Sequence, residues 1–577
     1  MFKRNDSHVQ GNMFGSVNEL PAKSKQRLEE SWAGAFYRDL FCRIDETMFA
    51  ELYSDEPSRP NIPVNVLVGF EVLKAGHGWS DEQAHDAVRF DLQVRHALGM
   101  HRLSDDVFTL RTVYNFRRTV AKHAATTGEN LFEQVFEQVT GEQQQVYEVG
   151  STKLRMDSTQ IASNIRNMSR LQLLVEVLQR VHRVLDEIDR ERLAEQFAPY
   201  TQGSSRKYAY RLRGDEPQVH LIGIGRVMAE LIEELKAKYG DTPAYGMLER
   251  VFGEHFFEGR PGVLPRSEEN ISAQSLQSPD DPEATYRRKR RRRYRGYVAN
   301  LTETCDEANE VQLIVDVAVE PNSADDGQML LDAADELAER TDVETLYTDG
   351  GYNGPQVDEA MARHGIEQVQ TAIRGQKSER LGREDFEWEA DEQQRPLAVT
   401  CPGGQRVDVE SGRKSHTFSA RFEEEACSRC PLRDECPTRP MKRRPVRVLR
   451  FTSRQVQAAR RVKRSRAQRQ SGRNPCSAVE ATVWSVKARF PRCRVPYRGQ
   501  ARVTIYTIAS SAMVNVRRLA ALAQQRAADR AGDAPSGPFH APGGATRLLA
   551  ALQRVLARSA PLMARQTRFA AIRVASP

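Results

Sequence analysis

Glu480 is the single acidic residue between Lys442 and Arg502, a stretch that holds nineteen Lys or Arg residues. Such a surface attracts polyanions, nucleic acid first among them. An ionised carboxylate beside a phosphate backbone is unfavourable unless a cation sits between them, and a divalent metal held by oxygen ligands supplies one. A metal shared in this way calls for further carboxylates. Asp157 closes the strand-like segment STKLRMD, with Ser158 and Thr159 beside it, and Asp349 closes VETLYTD before Gly350 and Gly351. Both read as strand-end residues, placed where α/β sheets present catalytic groups. Their separation of 192 positions says nothing about distance in space, so the pairing rests on shared context. The competing roles are structural: a turn residue for Asp157, and a capping box from Ser477 to Glu480 for the glutamate. Trp484 and Lys487 continue the face of Glu480 at i+4 and i+7, which points a cation at the phosphate next to the metal.

A second constellation is Cys401, Cys427, Cys430 and Cys436, spaced C-x25-C-x2-C-x5-C. A C-x2-C pair with two further cysteines suits tetrahedral Zn²⁺. Four thiolates would close the site to chemistry, and a metal would help fold a segment short of apolar residues. A redox or cluster role and unligated thiols are the alternatives. Cys42, Cys305, Cys476 and Cys493 are scattered and read as ordinary thiols.

The elements that must position these groups are legible in part. After a polar, loose start, residues 1–125 read as helices: IPVNVLVGFEVLKAG is stopped by Gly76 and Gly78, and Ser80 with Gln83 forms a capping box. Short helices with tight turns fit a DNA-binding helix-turn-helix or an assembly domain equally well. Residues 126–164 hold the first strand, and 165–285 read as a largely helical insertion. In 286–375, GYVANLTET and VQLIVDVAVE form a hairpin, followed by a helix over Asp326 to Arg340, the Asp349 strand, a helix over Gly354 to His364, and the strand IEQVQTAI. Residues 376–441 carry the four cysteines, 442–520 the basic part with a buried closing helix, and 521–577 an Ala/Arg-rich tail with an amphipathic helix over 546–558.

The formal charge of +7 over 577 residues averages unlike regions. Eight Arg or Lys residues crowd between Arg287 and Arg295, broken only by Tyr294. As a flexible run these would bind phosphate without reading sequence, with a solvated loop as the bland alternative. The start has no apolar leader, and no run is long enough for a bilayer. A cytoplasmic protein is expected, with cysteines reduced. Scarce tryptophan and the basic surround argue against a two-carboxylate glycosidase.

Taken in order, several stretches resemble the DDE transposases of bacterial insertion elements, in a long subgroup with a four-cysteine insert. They are GFEVLKAGHGWSDEQAHDAVRFDLQVRHALGM, TLRTVYNFRR, MDST, SPDDPEATYRRK with RGYVANLTETCD, YTDGGYNG, the cysteine set, and SAVEATVWSVKARFPRCRVPYRG. The resemblance implies a ribonuclease-H-like catalytic core with Asp157, Asp349 and Glu480 as its triad, holding two Mg²⁺ ions that Mn²⁺ can replace. It implies that Lys487 contacts double-stranded DNA at the element end. The family's arginine four residues before the glutamate is Cys476 here, and nearby Arg473 is the substitute. Arg290, Arg291, Arg292 and Arg293 complete the expected DNA contacts. Joining two ends implies a homodimer or larger assembly on DNA in the bacterial nucleoid. An inactive DNA-binding derivative and a nuclease without strand transfer are the rival readings.

Overall fold

The strand that carries Asp157 does not end there. In the computed structural model β1 spans Lys153–Ala162, and its antiparallel pairing runs from Leu154↔Thr304 to Ala162↔Gly296. Ser158, Thr159 and Gln160 are polar yet compatible with a strand, and a partner along the full length holds them extended. The structure describes residues 1–530 except 9–14, 55, 57–59, 213–215, 260–261, 290, 372–379, 392–394, 413–415, 471–474 and 492–493. The expected helix at 546–558 lies outside these.

β1 is the middle of a mixed sheet. The other strands are β2 (Thr285–Lys289), β3 (Arg292–Thr304), β4 (Ile314–Pro321), β5 (Thr345–Thr348) and β6 (Glu367–Gln370). β4 pairs with β3, β3 with β1, β1 with β5 and β5 with β6; β2 extends alongside the start of β3. The first pairings are antiparallel, whereas β5 runs parallel to β1 and β6 parallel to β5. The expected hairpin of β3 and β4 is present, as is the helix over Asp326–Arg340.

The basic run differs from its expected form. It is no flexible tract but the hairpin of β2 and β3, paired from Thr285↔Gly296 to Lys289↔Arg292. Ladder hydrogen bonds join backbone groups, so a run of arginines can be a strand when its partner strand is adjacent. Arg291, Arg292 and Arg293 are exposed at the tip, and Arg290 lies outside the described residues.

Among the helices that flank the sheet or carry groups that bear on it are α1 (Val64–His77), α2 (Leu131–Tyr147), α3 (Asp326–Arg340), α4 (Ser453–Gln470), α5 (Cys476–Lys487) and α6 (Gln500–Arg530). The start of the chain is less loose than expected, with helices over Ala22–Glu29 and Trp32–Asp39. The Ser80–Gln83 capping box is formed. The N-terminal helices do not keep a core of their own. Phe36, Phe70 and Phe136 share one cluster with Leu301 and Val317 of the sheet and Met513 of α6. Contact is close: a Cβ on Gly76 would lie 2.1 Å from the Met513 Cγ. Asn515 of α6 holds the β4 edge, accepting from the Ile314 N–H and donating to its carbonyl, at 2.9 and 2.8 Å. Residues Met1–Leu522 form one unit; in the second, Ala523–Pro577, the described part is the end of α6.

The insertion after β1 is largely helical, with a short hairpin of Phe256–Gly259 and Gly262–Pro265, and builds its own core around Leu174, Leu178, Met228, Leu231 and Leu248. The cysteine segment holds more apolar residues than its sequence suggested. It belongs to a six-stranded antiparallel sheet spanning Glu387 to Thr452 that buries Phe386, Phe422, Leu449 and Phe451.

α2 meets the sheet through carboxylates. Burial first, then neighbouring carboxylates, raise Glu133 to about 7, while burial and a hydrogen bond to Glu336 raise Glu137 to about 8. Asp316 is raised too, chiefly by burial, and Arg340 lies 3.3 Å from both Glu137 and Asp316. Folded-state values above the unfolded ones mean that stability is fully present below about pH 4.5 and is lost as pH rises toward 7–8. Glu137→Gln should flatten that fall in a melting-temperature series from pH 5 to 8. An unchanged slope would show that these groups ionise freely in the folded protein.

Candidate active site

Register brings the two aspartates level. β1 and β5 are parallel neighbours with Arg155 opposite Tyr347. Two residues further along each strand come Asp157 and Asp349, the latter the first residue past β5. Parallel neighbours lie about 4.8 Å apart, so two carboxylates at one level must feel each other. Burial raises the Asp157 carboxyl to about 6, and the Asp349 charge adds to this. The Ser158 N–H and the Lys289 charge act the other way, and Glu480 raises it further. The three expected carboxylates therefore share one electrostatic neighbourhood.

The Gly-Gly turn after β5 has a steric reason. A Cβ on Gly351 would lie 2.8 Å from Asp326 Oδ2 and 2.9 Å from Asp349 Oδ1, and its N–H donates to that same Asp349 oxygen at 2.6 Å. Asp326 is the residue that sequence reasoning missed. It begins α3, where an acidic residue has a sufficient local explanation at the helix N-terminus. In the fold its Oδ1 accepts from Ser158 Oγ at 3.0 Å, and Arg287 of β2 lies 3.5 Å from Oδ2. Beneath lies Tyr352, fully buried, whose hydroxyl donates to Asn300 Oδ1 at 2.6 Å. Burial and the Asp326 and Asp157 charges hold its phenol well above the usual range.

Glu480 arrives on a helix laid along β1. The Arg155 guanidinium donates to the Pro475 carbonyl at 3.2 Å, just before α5 begins. At the other end Lys487 Nζ donates to Thr159 Oγ1 at 3.0 Å and to the Gln160 carbonyl at 2.7 Å. Twelve helical residues span about 18 Å and five strand residues about 17 Å, so the helix runs with the strand, and the Glu480 charge is near enough to act on Asp157. The helix starts at Cys476 with Pro475 as its N-cap and no side-chain cap, so the capping box expected from Ser477 is not what Glu480 completes. Lys487, expected on DNA, docks α5 on β1 in this structure. Trp484, one turn from Glu480, is exposed. Arg473 lies outside the described residues.

A cleft of about 690 Å³ opens against this site, lined by Arg287, Arg288 and Lys289 of the hairpin, Asp326, Gly351, and Arg461 of α4. Asp157, Asp349 and Glu480 are not among its lining residues; its basic side chains suit a phosphate backbone, and Asp326 links it to Ser158 next to Asp157. The donor set, carboxylate oxygens, fits hard divalent ions.

The cysteines gather less tightly. Cys427 feels Cys401 and Cys436, and burial pushes its thiol up. Gly403 lies against two sulfurs; a Cβ there would be 3.1 Å from Cys430 Sγ and 3.6 Å from Cys401 Sγ. Among the described residues, however, no three of these sulfurs lie within 4.8 Å of one another, nor do the three carboxylates; Glu51, His123 and Glu129 do. The four thiols fit zinc by chemistry, and their spacing is wider than a closed ligand set.

Residues 400–520 match the family model of the transposase DDE domain, and residues 25–119 match a second transposase domain model, DUF772. The first covers the cysteines and Glu480; Asp157 and Asp349 lie outside both. Each match covers only part of the chain, and together they span less than half of it. No curated protein and no solved structure matches it. Among the described residues no helix is long and apolar enough to cross a membrane.

Proposed function

We propose that this chain is a transposase that binds the ends of an insertion element and carries out metal-dependent strand cleavage and strand transfer through Asp157, Asp349 and Glu480. The observation that supports the reading is the register: Asp157 on β1 and Asp349 just past β5 each come two residues after the Arg155–Tyr347 pair of parallel strands, with the Glu480 helix fastened along β1. The strand order is consistent with a ribonuclease-H-like core.

Asp157, Asp349 and Glu480 would hold two Mg²⁺ ions, or Mn²⁺ in their place. Bound there, such ions supply an activated water or 3′-hydroxyl and stabilise the leaving 3′-oxygen. The chain's own part is to bind and orient. Arg287, Arg288 and Lys289 hold the phosphate backbone against the carboxylates, and Arg291, Arg292 and Arg293 extend the grip. Asp326 fixes Ser158 and thereby the strand beside Asp157. Lys487 keeps Glu480 in place, and a direct DNA contact would require it to leave Thr159 and Gln160. Two ends must meet for joining, so assembly as a dimer or larger complex is part of the proposal.

Labelled duplex carrying the DNA that flanks the gene tests this. Nicks at the element boundary with 3′-hydroxyls, present with Mg²⁺ or Mn²⁺ and absent with EDTA, are expected. Tight binding of the ends with no cleavage under either metal would favour a binding-only derivative.

We also propose a structural zinc on Cys401, Cys427, Cys430 and Cys436. A single zinc per chain is expected, with Cys430→Ser losing it and exposing the 387–452 sheet to protease. A zinc-free protein with an unchanged melt would overturn this.

A further inference from the structure

We infer that Glu303, through Thr482, is a positioning residue that sets Glu480 against Asp157. The inference rests on the metal-dependent reading above and assigns a role to a buried network which that reading does not use. Glu303 lies on β3 directly opposite Arg155 of β1, and its side chain is fully buried. A lone carboxylate there would be strongly destabilising. It is instead paired twice, with Arg155 Nε at 2.7 Å and with Arg518 Nη1 of α6 at 2.8 Å. The Thr482 hydroxyl, from α5, lies 2.9 and 2.7 Å from the two Glu303 oxygens and accepts from Arg518 Nη2 at 2.5 Å.

The placement of these groups carries the inference. Arg155 stands two residues before Asp157 on β1, and Thr482 stands two residues after Glu480 on α5. Arg155 also holds the Pro475 carbonyl at the start of α5. One buried carboxylate thus ties the strand of the first acidic residue to the helix of the third. Glu480 itself is exposed, so the anchorage of its helix must come from the buried side, where Thr482 is 2% exposed. A carboxylate that must meet a metal shared with another element depends on such support, because a small rotation of the helix moves it out of reach.

The test removes the link without breaking the ion pairs. Thr482→Val keeps the side-chain shape and both arginines on Glu303 but deletes the hydroxyl; Thr482→Ser keeps the hydroxyl. Mn²⁺ binding is measured by calorimetry on the full chain, and hydrogen exchange is followed over residues 476–487. With Thr482→Val, faster exchange confined to that helix and about ten-fold weaker Mn²⁺ binding are expected, both restored by Thr482→Ser. Should Thr482→Val lose its cooperative melt, Thr482→Ala carries the same comparison. Faster exchange with unchanged Mn²⁺ affinity would make the network merely structural and overturn the inference. So would no change in either, or a wild type that binds no Mn²⁺. If Mn²⁺ binding responds as expected while the wild type cuts no element end, the positioning role stands and the transposase reading falls.

Discussion

Asp157→Asn will bind element-end DNA as the wild type does and will cut at least about 10³-fold less of it, because metal stabilisation of the transition state is worth several kcal/mol. Asn keeps the shape of Asp but gives the metal no anionic oxygen. The proposed binding surface lies on the β2–β3 hairpin, away from the substituted side chain, so affinity for the ends has no reason to fall. Asp349→Asn and Glu480→Gln should behave alike if, as proposed, the three groups act as one ligand set. Stability supplies a check that activity does not. Burial and the Asp349 charge raise Asp157 to about 6 in the folded chain. Its contribution is favourable below about pH 3.9 and lost as pH rises through 6. At pH 7.5 without metal the variant should therefore melt no lower than the wild type, and Mg²⁺ should raise the melt of the wild type alone. Cleavage by any one of the three variants at the wild-type rate would remove that residue from the triad.

Replacing Arg291, Arg292 and Arg293 together with Ala has the second large effect. Each phosphate contact contributes about 0.9 to the slope of log affinity against log salt, so losing three should flatten the slope by about 2.7. Affinity at physiological salt should fall by about 10²-fold, to the same degree on element-end and unrelated duplex, because phosphate contacts position without reading sequence. The hairpin should survive, since its ladder is made by backbone groups. Cleavage of DNA that is bound should be unchanged. Titrations between about 50 and 300 mM salt decide it: an unchanged slope would make the exposed tip idle.

How much of the fold and the site was legible beforehand depends on how local each cause is. The amino-acid sequence by itself determined the helix over Asp326–Arg340, the hairpin of β3 and β4, the capping box at Ser80, the helical insertion and the residue types available for chemistry. Hydrophobic period, caps and turn residues act over a few positions and are written in order. It also marked Asp157, Asp349 and Glu480, each by its own surroundings. It misled where a local cue was sufficient but not the one used. Ser477 to Glu480 spells a capping box that the helix start at Cys476 leaves unused, and the arginine run hides a strand because charge masks a pairing made by backbone.

Only the tertiary structure decided what stands beside what. The register that sets Asp157 level with Asp349 spans the helical insertion and most of the sheet, and no period in the chain encodes it. Asp326 joins the site because Gly351 lacks a side chain. Lys487 became a fastener of α5, and Glu303 with Arg155, Arg518 and Thr482 closed a network drawn from two strands and two helices. Long-range pairing and burial made those choices, since a carboxylate's neighbours in space come from distant parts of the chain.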